Sequence, residues 1–153
     1  MPDLLRPDKC TFYPHETKLT LTLEMAVNRF AAMEFLRTSC DFPFSAAVIH
    51  SGRTLETVLT GIPPGDKVPV RGGAGSELRE IFRQLDEILE MAGVKKTAIV
   101  SARLYLQHVL QDISEVNTVY REYFGAHPPN RRAYGVELQS GMLVEAAFVA
   151  ELA

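Results

Sequence analysis

Residues 112–145 read DISEVNTVYREYFGAHPPNRRAYGVELQSGMLVE. Ser114 suits a helix start, and Val116, Val119, Tyr120 and Phe124 follow at helical spacing. Pro128-Pro129-Asn130-Arg131-Arg132 then turns the chain. Ala133–Leu138 and Met142–Leu152 alternate as strands, joined as a closing hairpin across Gln139-Ser140-Gly141. Asn117, Arg131, Arg132 and Glu145 thus sit on or beside elements that are otherwise apolar. Polar groups in such places must find partners or bind something, which points to a small-molecule site.

Upstream, Ser76–Ala92 is the clearest helix: Leu78, Ile81, Phe82, Leu85, Ile88 and Leu89 form one apolar stripe. Ser76 suits the N-cap and Gly93 the stop. Ala98–Val109 alternates as a strand, with Ile99, Ser101, Arg103 and Tyr105 on one face and Val100, Ala102, Leu104 and Leu106 on the other. Ser45–His50 and Thr54–Thr60 are strands around the turn Ser51-Gly52-Arg53, and the Gly- and Pro-rich Gly61–Gly75 is a long loop. Lys18–Glu24 has strand alternation and Met25–Arg37 helical spacing, while residues 1–17 read as a surface arm with three prolines. From residue 44 the order is β-β-α-β-α-β-β. This predicts an α+β protein with helices packed on one face of a mixed sheet.

With 153 residues, one domain is expected. Apolar content of 46% and charged content of 23% are ordinary for a soluble globular protein. A net charge of −3 provides no basic footprint, so neither nucleic acid nor an anionic membrane is expected as a partner. No apolar run approaches the roughly 18 residues that span a bilayer, and the opening MPDLLRPDKC has no signal-peptide character. Cys10 and Cys40 match no metal or redox spacing and read as free thiols, which suits a cytoplasmic location.

From Pro43 onward the chain resembles the Rid family, the reactive intermediate deaminases also called YjgF-like proteins. Pro43-Phe44-Ser45-Ala46-Ala47-Val48 is similar to the family's Pro-Tyr-Ser-x-Ala-Val, and Thr60-Gly61, with Pro63 after it, sits where the family has Ser-Gly-Gln-x-Pro. Ile88–Gly93 resembles the end of the family's first helix. Asp112–Asn117 resembles Asp-Phe-x-x-Val-Asn, and Leu138-x-x-Gly141-x-x-Val144-Glu145 its last hairpin. The resemblance implies a chorismate-mutase-like protomer over residues 43–153 that assembles as a homotrimer with sites in the intersubunit clefts. Residues 1–42 are an unmatched amino-terminal extension. It further implies hydrolysis of enamines or imines to a keto acid and ammonia, without cofactor or metal. In that scheme an Arg holds the substrate carboxylate and a Glu handles water.

Carried onto this sequence, Glu145 and Arg131 are the expected catalytic residues, with Arg132, Asn117, Thr60 and Phe44 as substrate contacts. Two departures stand out: the family's cleft Tyr is Phe44, and the position of its carboxylate-binding Arg, eight residues before Leu138, is Asn130. Either a bulge or deletion restores Arg131, the favoured choice, or Arg132 serves from the correct face, or the role is lost, because one residue of slip reverses a strand's faces. Arg71-Gly72-Gly73-Ala74-Gly75 precedes a helix but lacks the Gly-Lys-Ser/Thr ending of a phosphate loop, so it reads as a connector. The four histidines show no metal spacing. Two rivals to the deaminase remain open, a non-catalytic small-carboxylate-binding trimer and an endoribonuclease, the second disfavoured by the acidic balance.

Overall fold

The structure is a computed structural model that describes residues 12–14, 33–38 and 43–152. Among these residues, seven strands form one mixed sheet in the order β1-β2-β3-β4-β7-β5-β6. They are β1 (Phe12–Pro14), β2 (Glu34–Thr38), β3 (Ala47–His50), β4 (Thr54–Thr60), β5 (Ile99–Leu106), β6 (Asn130–Gly135) and β7 (Val144–Glu151). Two helices, α1 (Ala74–Met91) and α2 (Val109–Phe124), pack on one face, and a 3-10 turn at Lys96–Ala98 leads into β5. The expected α+β architecture is what forms. Among the described residues no helix is long and apolar enough to cross a membrane.

The core lies between this face and the helices. Leu78, Ile81, Leu85 and Ile88 of α1 meet Leu55 of β4, Leu104 of β5 and Ala146 and Phe148 of β7, all essentially inaccessible to solvent. Phe82 stacks on Tyr123 with ring centroids 3.9 Å apart and meets Phe124 edge-on at 5.6 Å, so an aromatic cluster joins the two helices.

Several sequence expectations are corrected. Residues 34–37 belong to β2, not to a helix, because β2 pairs antiparallel with β3 and tertiary pairing overrides a short helical spacing; residues 18–24 and 25–32 lie outside the described residues. Helix α1 starts at Ala74 with Gly73 as N-cap, and Ser76 sits in the first turn, where its hydroxyl donates to Gly72 O at 3.2 Å. Helix α2 starts at Val109, so Ser114 lies within it. The stop at Gly93 forms as expected: φ is +69°, and the amides of Gly93 and Val94 donate to Glu90 O and Leu89 O.

The closing hairpin does not form. Gln139–Met142 is a true turn, with the Met142 amide on Gln139 O, but the flanking strands separate and sandwich β5. β6 lies parallel to β5, and β7 lies antiparallel to both β5 and β4. In β5 the register shifts between Ile99 and Ser101, so Ile99 enters the core and Val100 is exposed, reversing the expected faces of those two residues.

Two buried polar side chains of α1, two turns apart, tie the sheet to the helix. Glu77 Oε2 accepts the amides of Leu143 at 2.8 Å and Val144 at 3.0 Å, fixing the start of β7. Gln84 Nε2 donates to the carbonyls of Thr60 and Ile62 at 3.0 and 3.1 Å, fixing the end of β4. Burial pushes the Glu77 carboxyl above its usual range, and the two amides pull it back. Gly61 passes so close that a Cβ there would lie 2.5 Å from Glu77 Cβ, which explains the glycine. Glu77→Ala leaves two amides without an acceptor and should lower stability by about 2–5 kcal/mol in chemical denaturation. Glu77→Gln, which retains an oxygen acceptor, should cost less.

Candidate active site

Paired residues on neighbouring strands direct their side chains to the same face. Leu59, Ala146, Leu104 and Ala133 form one row beneath the helices, and Thr57, Phe148, Ala102 and Arg131 form the next. Among the described residues, the opposite face carries no helix. There, Thr60, Glu145, Tyr105 and Tyr134 make one cross-strand row through β4, β7, β5 and β6. Val58, Ala147, Arg103 and Arg132 make the adjoining row. Val58 is 59% exposed, and Phe35, in line with Val48 on the same face, is 46% exposed.

Glu145 is half-buried between Thr60 and Tyr105 and forms no hydrogen bond or ion pair with the described residues. Burial alone pushes its carboxyl above the ordinary range. An unpaired carboxylate with raised basicity, open to a bare surface, is equipped to exchange protons with a bound water. Thr60 is held from below through its carbonyl by Gln84, and its hydroxyl oxygen accepts the Ile62 amide at 3.4 Å. Tyr105, beside Glu145, and Tyr134, one strand beyond it in the same row, stack with centroids 5.8 Å apart.

The expected residues divide between the two faces. Arg131 turns towards α2, where its Nη1 donates to Asn117 Oδ1 at 2.8 Å and its guanidinium lies 4.9 Å from the Tyr120 ring centroid. Burial raises the Tyr120 hydroxyl to about 12, against the lowering influence of Arg131. The structure therefore joins Arg131 to Asn117 beneath the helices and places neither on the face of Glu145. Arg132 and Thr60 share that face with Glu145. Phe44 is 64% exposed, three residues before Ala47, so the chain enters the sheet at the end where Thr60 lies.

Arg103, Tyr105 and Tyr134 were not singled out as site residues from sequence. The alternation of β5 did place Arg103 and Tyr105 on one face, and that was the available signal. At the Arg71–Gly75 connector, Glu115 of α2 packs against Gly75 at the start of α1, so an acidic side chain already stands where a phosphate would approach. Among the described residues no three His, Cys, Asp or Glu side chains converge as a metal would require.

The sheet face that carries the unpartnered Glu145 together with Arg103 and Arg132 is the candidate site of this α+β protein. The family model described as Endoribonuclease L-PSP matches residues 38–152. A 2-iminobutanoate/2-iminopropanoate deaminase of Bos taurus is 34% identical over 109 residues, covering 71% of this chain and 79% of the relative. A RutC family protein of Aquifex aeolicus is 33% identical over 111 residues, covering 71% and 87%. Among solved structures, the Rid family protein YyfA of Yersinia pestis superposes with a TM-score of 0.71 at 28% identity, covering 79% of this chain and all of that one. The chain belongs to the Rid (YjgF-like) family.

The Arg131–Asn117 pair yields a prediction. Arg131→Ala should lower stability by about 1–3 kcal/mol, measured by denaturant midpoint, because it strands the Asn117 oxygen and the Tyr120 ring. Its effect on substrate KM should be smaller than that of Arg132→Ala.

Proposed function

We propose that the protein is a cofactor-independent hydrolase that deaminates small imines or enamines bearing a carboxylate. The observation that carries this reading is Glu145: half-buried, without a partner, raised in basicity, and directed to an open face that also presents Arg132. Two strand spacings across the sheet and two residues along it, about 12 Å in all, separate the backbones of Glu145 and Arg132. A small substrate fits between a carboxylate that handles water and a guanidinium that grips an anion. Arg132 takes the carboxylate in place of the sequence-favoured Arg131, whose side chain is engaged on the other face. The deaminase name of the Bos taurus relative supports the same chemistry.

In the proposed reaction Glu145 accepts a proton from water as its oxygen adds to the C=N carbon. The proton passes to nitrogen, giving a carbinolamine. Collapse breaks the C–N bond, forms C=O and releases ammonia, so one imine and one water give one carbonyl compound and one ammonia. Hydration and proton transfer need neither redox cofactor nor metal. Thr60 supplies the hydroxyl beside Glu145, and Phe44 lines the entrance without one.

The exposed Phe35 and Val58 on the bare face supply the surface for self-association, and the proposed assembly is a homotrimer with the site at the subunit boundary. Light scattering at micromolar concentration should return three times the protomer mass of 17.0 kDa. A stable monomer would overturn the cleft arrangement.

Glu145→Gln preserves shape but removes the proton acceptor, so turnover of freshly generated imines should fall by about 10²–10⁴ with little change in binding. The acid limb of the wild-type pH–rate profile should lie above the ordinary glutamate range and vanish in the variant, because the base must be ionised to act. Full turnover in Glu145→Gln would overturn the role given to Glu145, whereas a wild-type protein that binds carboxylates but releases no ammonia would support a binding protein without this chemistry. The endoribonuclease of the matched model's description suits this chain less well, since its net charge is −3 and the open face carries Glu56 and Glu145.

A further inference from the structure

The bare face carries one more cation than a monocarboxylate needs. Arg103 and Arg132 are register partners on the parallel strands β5 and β6 and project to the same side, with backbones about 4.8 Å apart. Like charges placed directly opposite one another across strands destabilise a sheet. No acid offsets this pair: among the described residues neither arginine forms a salt bridge. Glu56, on the same face, is instead hydrogen-bonded to His50 at 3.2 Å. Nor is Arg103 a loose surface chain. It is half-buried, and its Nη1 donates to Ser101 Oγ at 2.8 Å and Ala102 O at 3.0 Å. The stacked Tyr105 and Tyr134 close one side of the pair, one row nearer Glu145.

Resting on the deaminase reading above, we infer that the substrate carries two anionic groups, with Arg132 and Arg103 each receiving one. The class is the imine of a short dicarboxylic amino acid, such as that of aspartate or glutamate. Two arginines whose backbones lie one strand spacing apart on the same face match two carboxylates joined by a short chain, and binding both offsets the like charges that face each other in the free protein. A monocarboxylate leaves one guanidinium unanswered.

The test generates imines in place with flavin oxidases acting on alanine, aspartate and glutamate, and reads ammonia release in competition with semicarbazide trapping. The ratio of kcat/KM for dicarboxylic over monocarboxylic imine should exceed about tenfold in the wild-type protein. In Arg103→Gln it should fall by at least that factor, through KM. Arg103→Lys, which keeps the charge but not the fork, should fall between them. A wild-type ratio at or below unity overturns the inference while leaving the deaminase reading intact, and so does a ratio unmoved by Arg103→Gln in a variant of native size. If no imine is hydrolysed, the deaminase reading fails. Calorimetry with succinate against propionate then decides the inference: preference for succinate that is lost in Arg103→Gln sustains it, and equal affinity overturns it.

Discussion

A single buried carboxylate sets the geometry on which the site depends. Glu77 reaches from α1 through the core and accepts two consecutive amides at the entry to β7, the second belonging to the residue just before Glu145. A buried carboxylate is costly unless its oxygens are engaged, so this contact tolerates little displacement of the helix relative to the strand. Gln84, two turns further along the same helix face, grips the carbonyls at the exit from β4. The strand ends that these residues hold are the ends where Thr60 and Glu145 face each other across the sheet. The helix never touches the bare face, yet it decides where that face presents its polar groups.

The sheet accordingly serves two solvents. One surface is packed with Leu55, Leu59, Leu104, Ala146 and Phe148 against the helices, and the other alternates charge and apolar groups with nothing described above them. Exposed apolar residues among ionic ones are what an interface shared between copies would use, and covering them would withdraw Glu145 further from water. The raised basicity of Glu145 in the isolated protomer already reflects partial withdrawal from water. Burial by a second subunit would extend the same effect.

Much of this was legible from local pattern. The apolar stripe of α1, its glycine stop and the alternation of β4 and β7 each follow from a periodicity that needs no knowledge of neighbours. The element order after residue 44 could be read for the same reason. What was illegible depends on pairing between distant segments. The Gln139–Met142 turn looks like a hairpin because it is a real turn, but whether the strands beyond it pair depends on β5, some forty residues earlier in the chain. The beginning of α2 carries no side-chain cap, so nothing before Ser114 announced it. Glu77 was invisible as a buried group because a charged residue in an amphipathic helix normally faces water. The family resemblance pointed to Glu145 as a candidate, whereas the face that each of Arg131 and Arg132 occupies depends on the register of β6.

That register has a source other than the arginines. In Asn130-Arg131-Arg132 a slip of one residue would still put a guanidinium beneath the helices and another on the bare face, so the doublet cannot sense its own alignment. The residues that can are Ala133, small enough to sit beside Leu104 under the helices, and Tyr134, whose ring lies on Tyr105. The pair of tyrosines is thus an alignment key for the edge strand as well as a wall of the site. A chain that lost the key would keep its charges and its composition while the two arginines exchanged places.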